Sequence, residues 1–199
     1  GELVEFGSST TKNASGFDLS RLLIGSEGGL ALVVEATLKL TPKPAARQLL
    51  RALYRDVESA AHAVARLMNQ PNTPSMLEFM DATAITLARN IGGADLPDAG
   101  ALLLIETDGD TQQLPQALQK LSEVARGDGC IDISVAHSDA EQNQLLAARK
   151  ALSPALRSLA TGKINEDVVV PVSQVPALVR FVEKLSAEQQ LLIVCFGHI

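Results

Sequence analysis

With 199 residues and a formal net charge of −6, the chain holds one domain or one and a half, and it lacks the basic face that nucleic acids require. Hydrophobic residues make up 46% and aromatics only 3%, so the core is built from Leu, Val, Ile and Ala, and stacking platforms for bases or sugars are excluded. No apolar run approaches the roughly 20 residues that cross a bilayer, and Gly1-Glu2-Leu3 has neither the basic start nor the apolar centre of a signal peptide. The first residue is not Met, so the N-terminus of the protein is expected upstream.

The opening GELVEFG alternates and predicts a strand. FDLSRLLI predicts a short helix with Asp18 as its N-cap. Gly25 to Gly29 form a turn, and the β-branched run LALVVEATLKL predicts a strand, stopped by Pro42 and Pro44. The segment TPKPA is the expected domain boundary.

Beyond it strands and helices alternate. ARQLLRALY, SMLEFMD, GALLLIETDG, IDISVAHS, INEDVVVP and the terminal LLIVCFGHI predict strands. The helices are VESAAHAVARLMNQ, ATAITLARNI, QQLPQALQKLSEVARG, AEQNQLLAARKALSPALRSLA and VSQVPALVRFVEKLSAEQ. Pro154 is expected to bend the long one. Strict alternation suggests a parallel sheet. However, IDISVAHS and ARQLLRALY alternate in polarity, as strands do when one sheet face is wet, and the helices differ greatly in length. An α+β layer with a largely antiparallel sheet is at least as well supported. Cys130 and Cys195 are expected to be reduced, buried thiols.

Several residues carry candidate chemistry. Glycines at 25, 28 and 29 permit unusual φ and expose backbone N–H groups, which suits an anionic or heterocyclic ligand. A plain helix-to-strand turn would look the same. Arg149 offers the planar fork that matches a carboxylate, although a solvated helix arginine is the commoner case. His198 is a lone histidine, which by itself says nothing of metal. Glu166 and Asp167 are adjacent on an expected strand, so they would point to opposite faces and make no acid–base pair. His62 and His137 receive no role.

The stretch KNASGFDLSRLLIGSEGGLALVVEATLKLTPKP resembles the FAD-linked oxidases of the vanillyl-alcohol-oxidase type, and more narrowly the bacterial D-lactate and glycolate dehydrogenases. PSMLEFMDATA, LLAARKALSPAL, NEDVVVPVSQVPALV and FGHI are similar to later segments of that family, in the same order. The last is similar to the start of its FGH-x-GDGN-x-H motif. The family's Gly-Ser-Glu-Gly-Thr-Leu-Gly appears here with Gly29 for the threonine and Ala31 for the final glycine.

The resemblance implies that residues 1–42 are the end of an FAD-binding domain, a strand–helix–strand piece. It implies that 43–199 are most of a cap domain, an antiparallel sheet covered by helices. The chain is then expected to be a truncated part of an enzyme that is cytoplasmic, either free or peripheral to the inner membrane. That enzyme would oxidise a small 2-hydroxy acid to the 2-oxo acid by hydride transfer to FAD. Gly25, Ser26, Glu27, Gly28 and Gly29 would touch the flavin cofactor. Arg149, Lys163 and Asn165 would bind the substrate. His198 would be one ligand of a divalent metal such as Zn or Mn. Electrons would leave to an iron–sulfur or other acceptor partner. The chain on its own would retain little FAD and no activity. The competing expectation is a stand-alone α+β binding or interaction module without flavin chemistry, and a third is a regulatory dimer paired through exposed strand edges.

Overall fold

The computed structural model describes residues 1–92, 96–157 and 162–199. The chain divides into two compact units, Gly1–Pro42 and Lys43–Ile199.

The first unit holds one helix, α1 (Leu19–Leu23), and no buried residue. Asp18 caps it as expected, its carboxylate accepting from Arg21 N at 3.4 Å and pairing with Arg21 Nε at 3.1 Å. The strands expected over 1–7 and 30–40 are not formed. Val33 is 66% and Leu38 78% exposed. A strand exists only when a neighbour takes its N–H and C=O groups, and this unit supplies no neighbour.

The second unit is an α+β domain around a five-stranded, wholly antiparallel sheet of order β4-β1-β3-β2-β5. Its strands are β1 (Ala46–Tyr54), β2 (Met76–Asp81), β3 (Ala101–Gly109), β4 (Cys130–Val135) and β5 (Phe196–His198). Its helices are α2 (Val57–Met68), α3 (Ala82–Gly92), α4 (Leu114–Ala125), α5 (Asp139–Leu156) and α6 (Val175–Gln189). The parallel alternative is thereby excluded.

Strand alternation sorts the apolar side chains into two cores. Leu50, Ala52, Tyr54, Leu77, Phe79, Leu103 and Ile105 face α2, α4 and α6. Leu49, Leu53, Met80, Leu102 and Leu104 face α3 and α5. Both sheet faces are therefore covered, and β3 can be apolar at every position from Ala101 to Ile105. The expected wet face is absent. The alternating polarity of IDISVAHS has another cause: β4 is an edge strand and only half-buried.

Helix ends are set locally. Asp56 caps α2 by accepting from Ser59 N at 2.7 Å, and Ser138 caps α5 by accepting from Glu141 N at 3.2 Å. Pro115 enters α4 and Pro176 enters α6 in the first turn, where a missing N–H costs nothing. α5 runs on through Pro154 and stops at Leu156, so the proline lies in its last turn, where few hydrogen bonds are left to break. Residues 158–160 of the expected helix lie outside the described residues.

Two more expected strands are corrected. Residues 164–171 form no strand, and Val169 is 94% exposed, because no strand lies beside them. The terminal strand shortens to β5. Its ladder begins late because Cys195 N donates to the Asp81 side chain at 2.6 Å. Both cysteines are free thiols, half-buried.

Candidate active site on the β2–β5 edge

Glu78 is a carboxylate in the middle of an apolar strand. Leu77 and Phe79 point into one core, so Glu78 and Met80 project to the other sheet face, the side of α3 and α5. Helix α5 presses Leu145, Ala148 and Leu152 onto that face. Arg149 follows directly on this stripe, and its Nε donates to Glu78 Oε2 at 2.7 Å. Its guanidinium also lies over the Phe196 ring, 4.7 Å from the centroid.

The second oxygen of Glu78 meets β5. Glu78 and His198 are direct partners across the β2–β5 ladder, which puts both side chains on one face. His198 Nδ1 lies 2.8 Å from Glu78 Oε1. Side-chain exposure falls from 72% at His198 to 19% at Arg149 and 12% at Glu78. One shielded carboxylate thus joins two cationic or cation-capable groups that are far apart in the chain.

Asp81, at the end of β2, fixes the approach of β5. Its Oδ1 accepts from Ala84 N at 2.7 Å, capping α3, and its Oδ2 accepts from Cys195 N. Burial pushes the Asp81 carboxyl above its usual range, opposed by these backbone donors. Burial also pushes the Cys195 thiol up to about 11, reinforced by the Asp81 and Glu183 carboxylates. Cys195 is thereby favoured as the thiol at neutral pH.

Lys163 and Asn165 separate in the structure. Lys163 Nζ donates to Ser153 Oγ at 3.1 Å and Ser153 O at 3.3 Å. Ser153 stands one helical turn beyond Arg149 on α5, so Lys163 reaches the same side of that helix. Asn165 is exposed in the irregular segment after it. Glu166 and Asp167 are exposed there too.

Sequence reasoning did not single out Glu78, Asp81, Ser153 or Phe196. Glu78 did leave a signal: a charged residue between Leu77 and Phe79 in a strand buried on both sides needs a partner.

In the first unit the turn at Gly25–Gly29 has φ of +85° at Gly25, +50° at Glu27 and +82° at Gly28. Ser26 N and Gly29 N donate within the turn, to Leu23 O and Ser26 O. A Cβ at Gly25 or Gly28 would meet nothing within 4 Å, whereas one at Gly29 would sit 3.0 Å from Ser26 O. Two open glycines leave bare backbone that a flat cofactor can approach, and glycine at 29 suits the tight carbonyl contact better than the threonine of the family pattern. These residues fit a contact with FAD, though not a cradle for the whole of it.

A metal is a different case. Among the described residues no three His, Cys, Asp or Glu side chains come together to hold an ion. His198 fits one ligand position, and the described residues do not complete the set.

A cavity of about 550 Å³ lies along α2 and includes Arg55, Asp56, His62 and Arg66 in its lining. It is on the opposite sheet face from Glu78. In it Arg55 pairs with Asp56 at 2.9 Å, and Arg66 donates to the carbonyls of Val124, Ala125 and Arg126. Among the described residues no helix is long and apolar enough to cross a membrane.

The second unit is thus an antiparallel sheet with helices on both faces that carries a carboxylate-linked arginine and histidine at one edge. Residues 43–199 match the family of FAD linked oxidases, C-terminal domain, and the chain belongs to that family. It is 32% identical over 199 residues to the glycolate oxidase subunit GlcD of Bacillus subtilis, covering all of this chain and 42% of that protein. It is 32% identical over 206 residues to D-lactate dehydrogenase of Anaerostipes hadrus, covering all of this chain and 43% of that one. The chain therefore spans less than half the length of these relatives. Alkyldihydroxyacetonephosphate synthase shares the fold, with a TM-score of 0.60 at 16% identity over 93% of this chain and 40% of its own.

Proposed function

We propose that the chain is the substrate-side part of a flavin-dependent 2-hydroxy-acid dehydrogenase of D-lactate or glycolate type. Residues 43–199 act as the cap domain, and residues 1–42 belong to the FAD-binding domain. FAD, when bound, would accept a hydride from the substrate α-carbon, which carries both electrons of the oxidation. Gly25, Ser26, Glu27, Gly28 and Gly29 contribute a contact to it. The observation that carries the reading is the placement of Arg149 and His198 on the two oxygens of Glu78. It brings a carboxylate-binding cation and a metal-ligating nitrogen to one edge, which supports contact with the two ends of a 2-hydroxy acid.

In this reading Arg149 binds and orients the substrate carboxylate through a paired, charge-assisted contact. Lys163, held against Ser153 on the same side of α5, adds positive charge along the same approach, and Asn165 follows it. His198 lies toward the substrate hydroxyl and serves as one ligand of a divalent metal such as Zn or Mn, completed by groups outside the described residues. The metal would lower the pKa of the hydroxyl. The names of the relatives support glycolate or D-lactate as substrate. An acceptor partner, iron–sulfur or other, would take the electrons onward. A cytoplasmic enzyme, soluble or peripheral to the inner membrane, accords with this role.

The test is to purify the full-length protein that carries this chain, record its visible spectrum, and add glycolate or D-lactate with a dye acceptor. The expected result is stoichiometric flavin absorbance, bleached by one of the two acids. Arg149→Lys is expected to raise KM by about tenfold or more, because an ammonium cannot reproduce the fork. A flavin-free protein, or one that neither acid reduces, overturns the proposal.

A further inference from the structure

We infer that Glu78 is a positioning residue that sets the proton of His198 and the working edge of Arg149 at the same time. This rests on the reading of Arg149 and His198 as substrate-side groups, and it adds a residue that neither composition nor the family resemblance singled out. Three contacts carry it. Arg149 gives its Nε–H to Glu78 Oε2 at 2.7 Å. The face of the same guanidinium rests on Phe196. His198 Nδ1 stands 2.8 Å from Glu78 Oε1.

Consider the histidine first. In a neutral imidazole one nitrogen carries a proton and the other a lone pair. A bare Nδ1 at 2.8 Å from a carboxylate oxygen would set two lone pairs against each other. The proton therefore sits on Nδ1, and the lone pair on Nε2. Nε2 is the ring nitrogen directed away from Glu78, on a side chain that is 72% exposed. A histidine held by a carboxylate in this way presents an electron-pair donor in a defined tautomer and ring orientation.

Now consider the arginine. A guanidinium has one edge formed by Nε and one Nη, and another formed by the two Nη groups. Glu78 takes the Nε, and Phe196 takes one face. Among the described contacts none uses either Nη group of Arg149. The remaining edge, formed by the two Nη groups, is able to bind a carboxylate bidentately. Glu78 thus balances the charge of Arg149 without occupying the edge formed by its two Nη groups. A single side chain, itself only 12% exposed, ties the β5 donor to the α5 cation.

Glutamine at this position has the same shape but only one accepting oxygen. It can take the Arg149 Nε–H, and its amide then faces Nδ1 as a donor, which moves the histidine proton to Nε2. The effects on His198 and on Arg149 are thereby linked.

The first measurement needs no variant and no cofactor. The 15N-labelled chain is examined by long-range 1H–15N correlation, about two pH units above the ordinary histidine pKa of ~6.5. His198 is expected as the Nδ1–H tautomer, with His62 and His137 as internal references. In Glu78→Gln the Nε2–H tautomer is expected to dominate, while Glu78→Asp retains Nδ1–H. A wild-type His198 with its proton on Nε2, or a Glu78→Gln spectrum unchanged at His198, overturns the inference. In the full-length flavoprotein, Glu78→Gln is expected to raise KM for the 2-hydroxy acid roughly 10–100-fold, with partial recovery in Glu78→Asp. An unchanged KM overturns the inference even if the wild type turns over. If the wild type binds neither flavin nor substrate, the proposed function fails, while the tautomer result still decides the role of Glu78.

Discussion

Two apolar runs of nearly equal strand character meet opposite fates in this chain. ALLLIETDG becomes β3, with Leu102 to Ile105 wholly buried between two layers of helices. LALVVEATLKL remains irregular, with Leu32, Val33, Val34 and Leu38 each at least 66% exposed. Composition and β-branching do not separate them. The difference is that β3 has β1 and β2 on either side to take its backbone groups, and the other run has none within its unit. Strand propensity reports fitness for a pleated surface; the partner decides whether that surface exists.

The contrast can be broken most forcefully at Leu103. Truncation by Leu103→Ala is expected to cost about 2–5 kcal/mol through lost burial and a residual cavity. Val33→Ala is expected to stay within about 0.5 kcal/mol in the same chain. Urea unfolding followed by far-UV circular dichroism compares them, and equal shifts would show that residues 30–40 are packed after all.

A smaller effect is expected at Asp81. Asp81→Ala removes the acceptor of both Ala84 N and Cys195 N, at about 1–3 kcal/mol for each buried donor left unpaired. Amide hydrogen exchange at Cys195 and Phe196 should accelerate in this variant, while that of β1 and β3 should not. Uniform acceleration would mean that β5 is no separate element.

The two aspartate caps sharpen the comparison at lower energy. Asp56→Ala is expected to cost about 1 kcal/mol, since α2 is packed and its cap is made. Asp18→Ala is expected to leave the unfolding midpoint unmoved, because an exposed helix of five residues has little stability to lose. The Asp56 difference also depends on pH. Hydrogen bonds from Ser59, then Arg55, lower its pKa from 3.8 to about 2. Its ionised form is therefore favoured by folding, so its contribution is complete above pH 3.8 and is lost as pH falls through about 2. Wild type and Asp56→Ala should converge in stability over that interval. A gap that persists below it would remove the carboxylate from the explanation.

A change of the same order as at Asp56 is expected at Tyr54, buried on β1, whose hydroxyl donates to Ala125 O at 2.9 Å. Tyr54→Phe should cost about 0.5–1.5 kcal/mol, read from the same urea curves. A larger loss would mean that Arg66, which also reaches Ala125 O, depends on the hydroxyl for its own position.

The sheet was legible where apolar periodicity and turn residues agreed. The bounds of β1 and β2 follow almost directly from ARQLLRALY and SMLEFMD. The α+β class followed from uneven helices and polar alternation, although the alternation came from edge position rather than from an open face. Strand readings failed at 1–7, 30–40 and 164–171, where pairing, a non-local property, decided the outcome. The site divided in a similar way. Arg149 and His198 were named through a resemblance. Glu78 was passed over because its meaning lies in the register that sets it opposite His198, and a linear chain does not display register. Ser153 was missed for the same reason, since its lysine partner returns from ten residues further on.

The bond from Glu78 to Arg149 closes a loop of 71 residues, and the contact to His198 reaches further still, to the last strand. Such distant closures form late, after nearer contacts have limited the search. The β1–β3 pairing at the centre of the sheet joins residues nearer in the chain and precedes them. The Arg149–Glu78–His198 constellation is then complete only once β2, α5 and β5 have all come together.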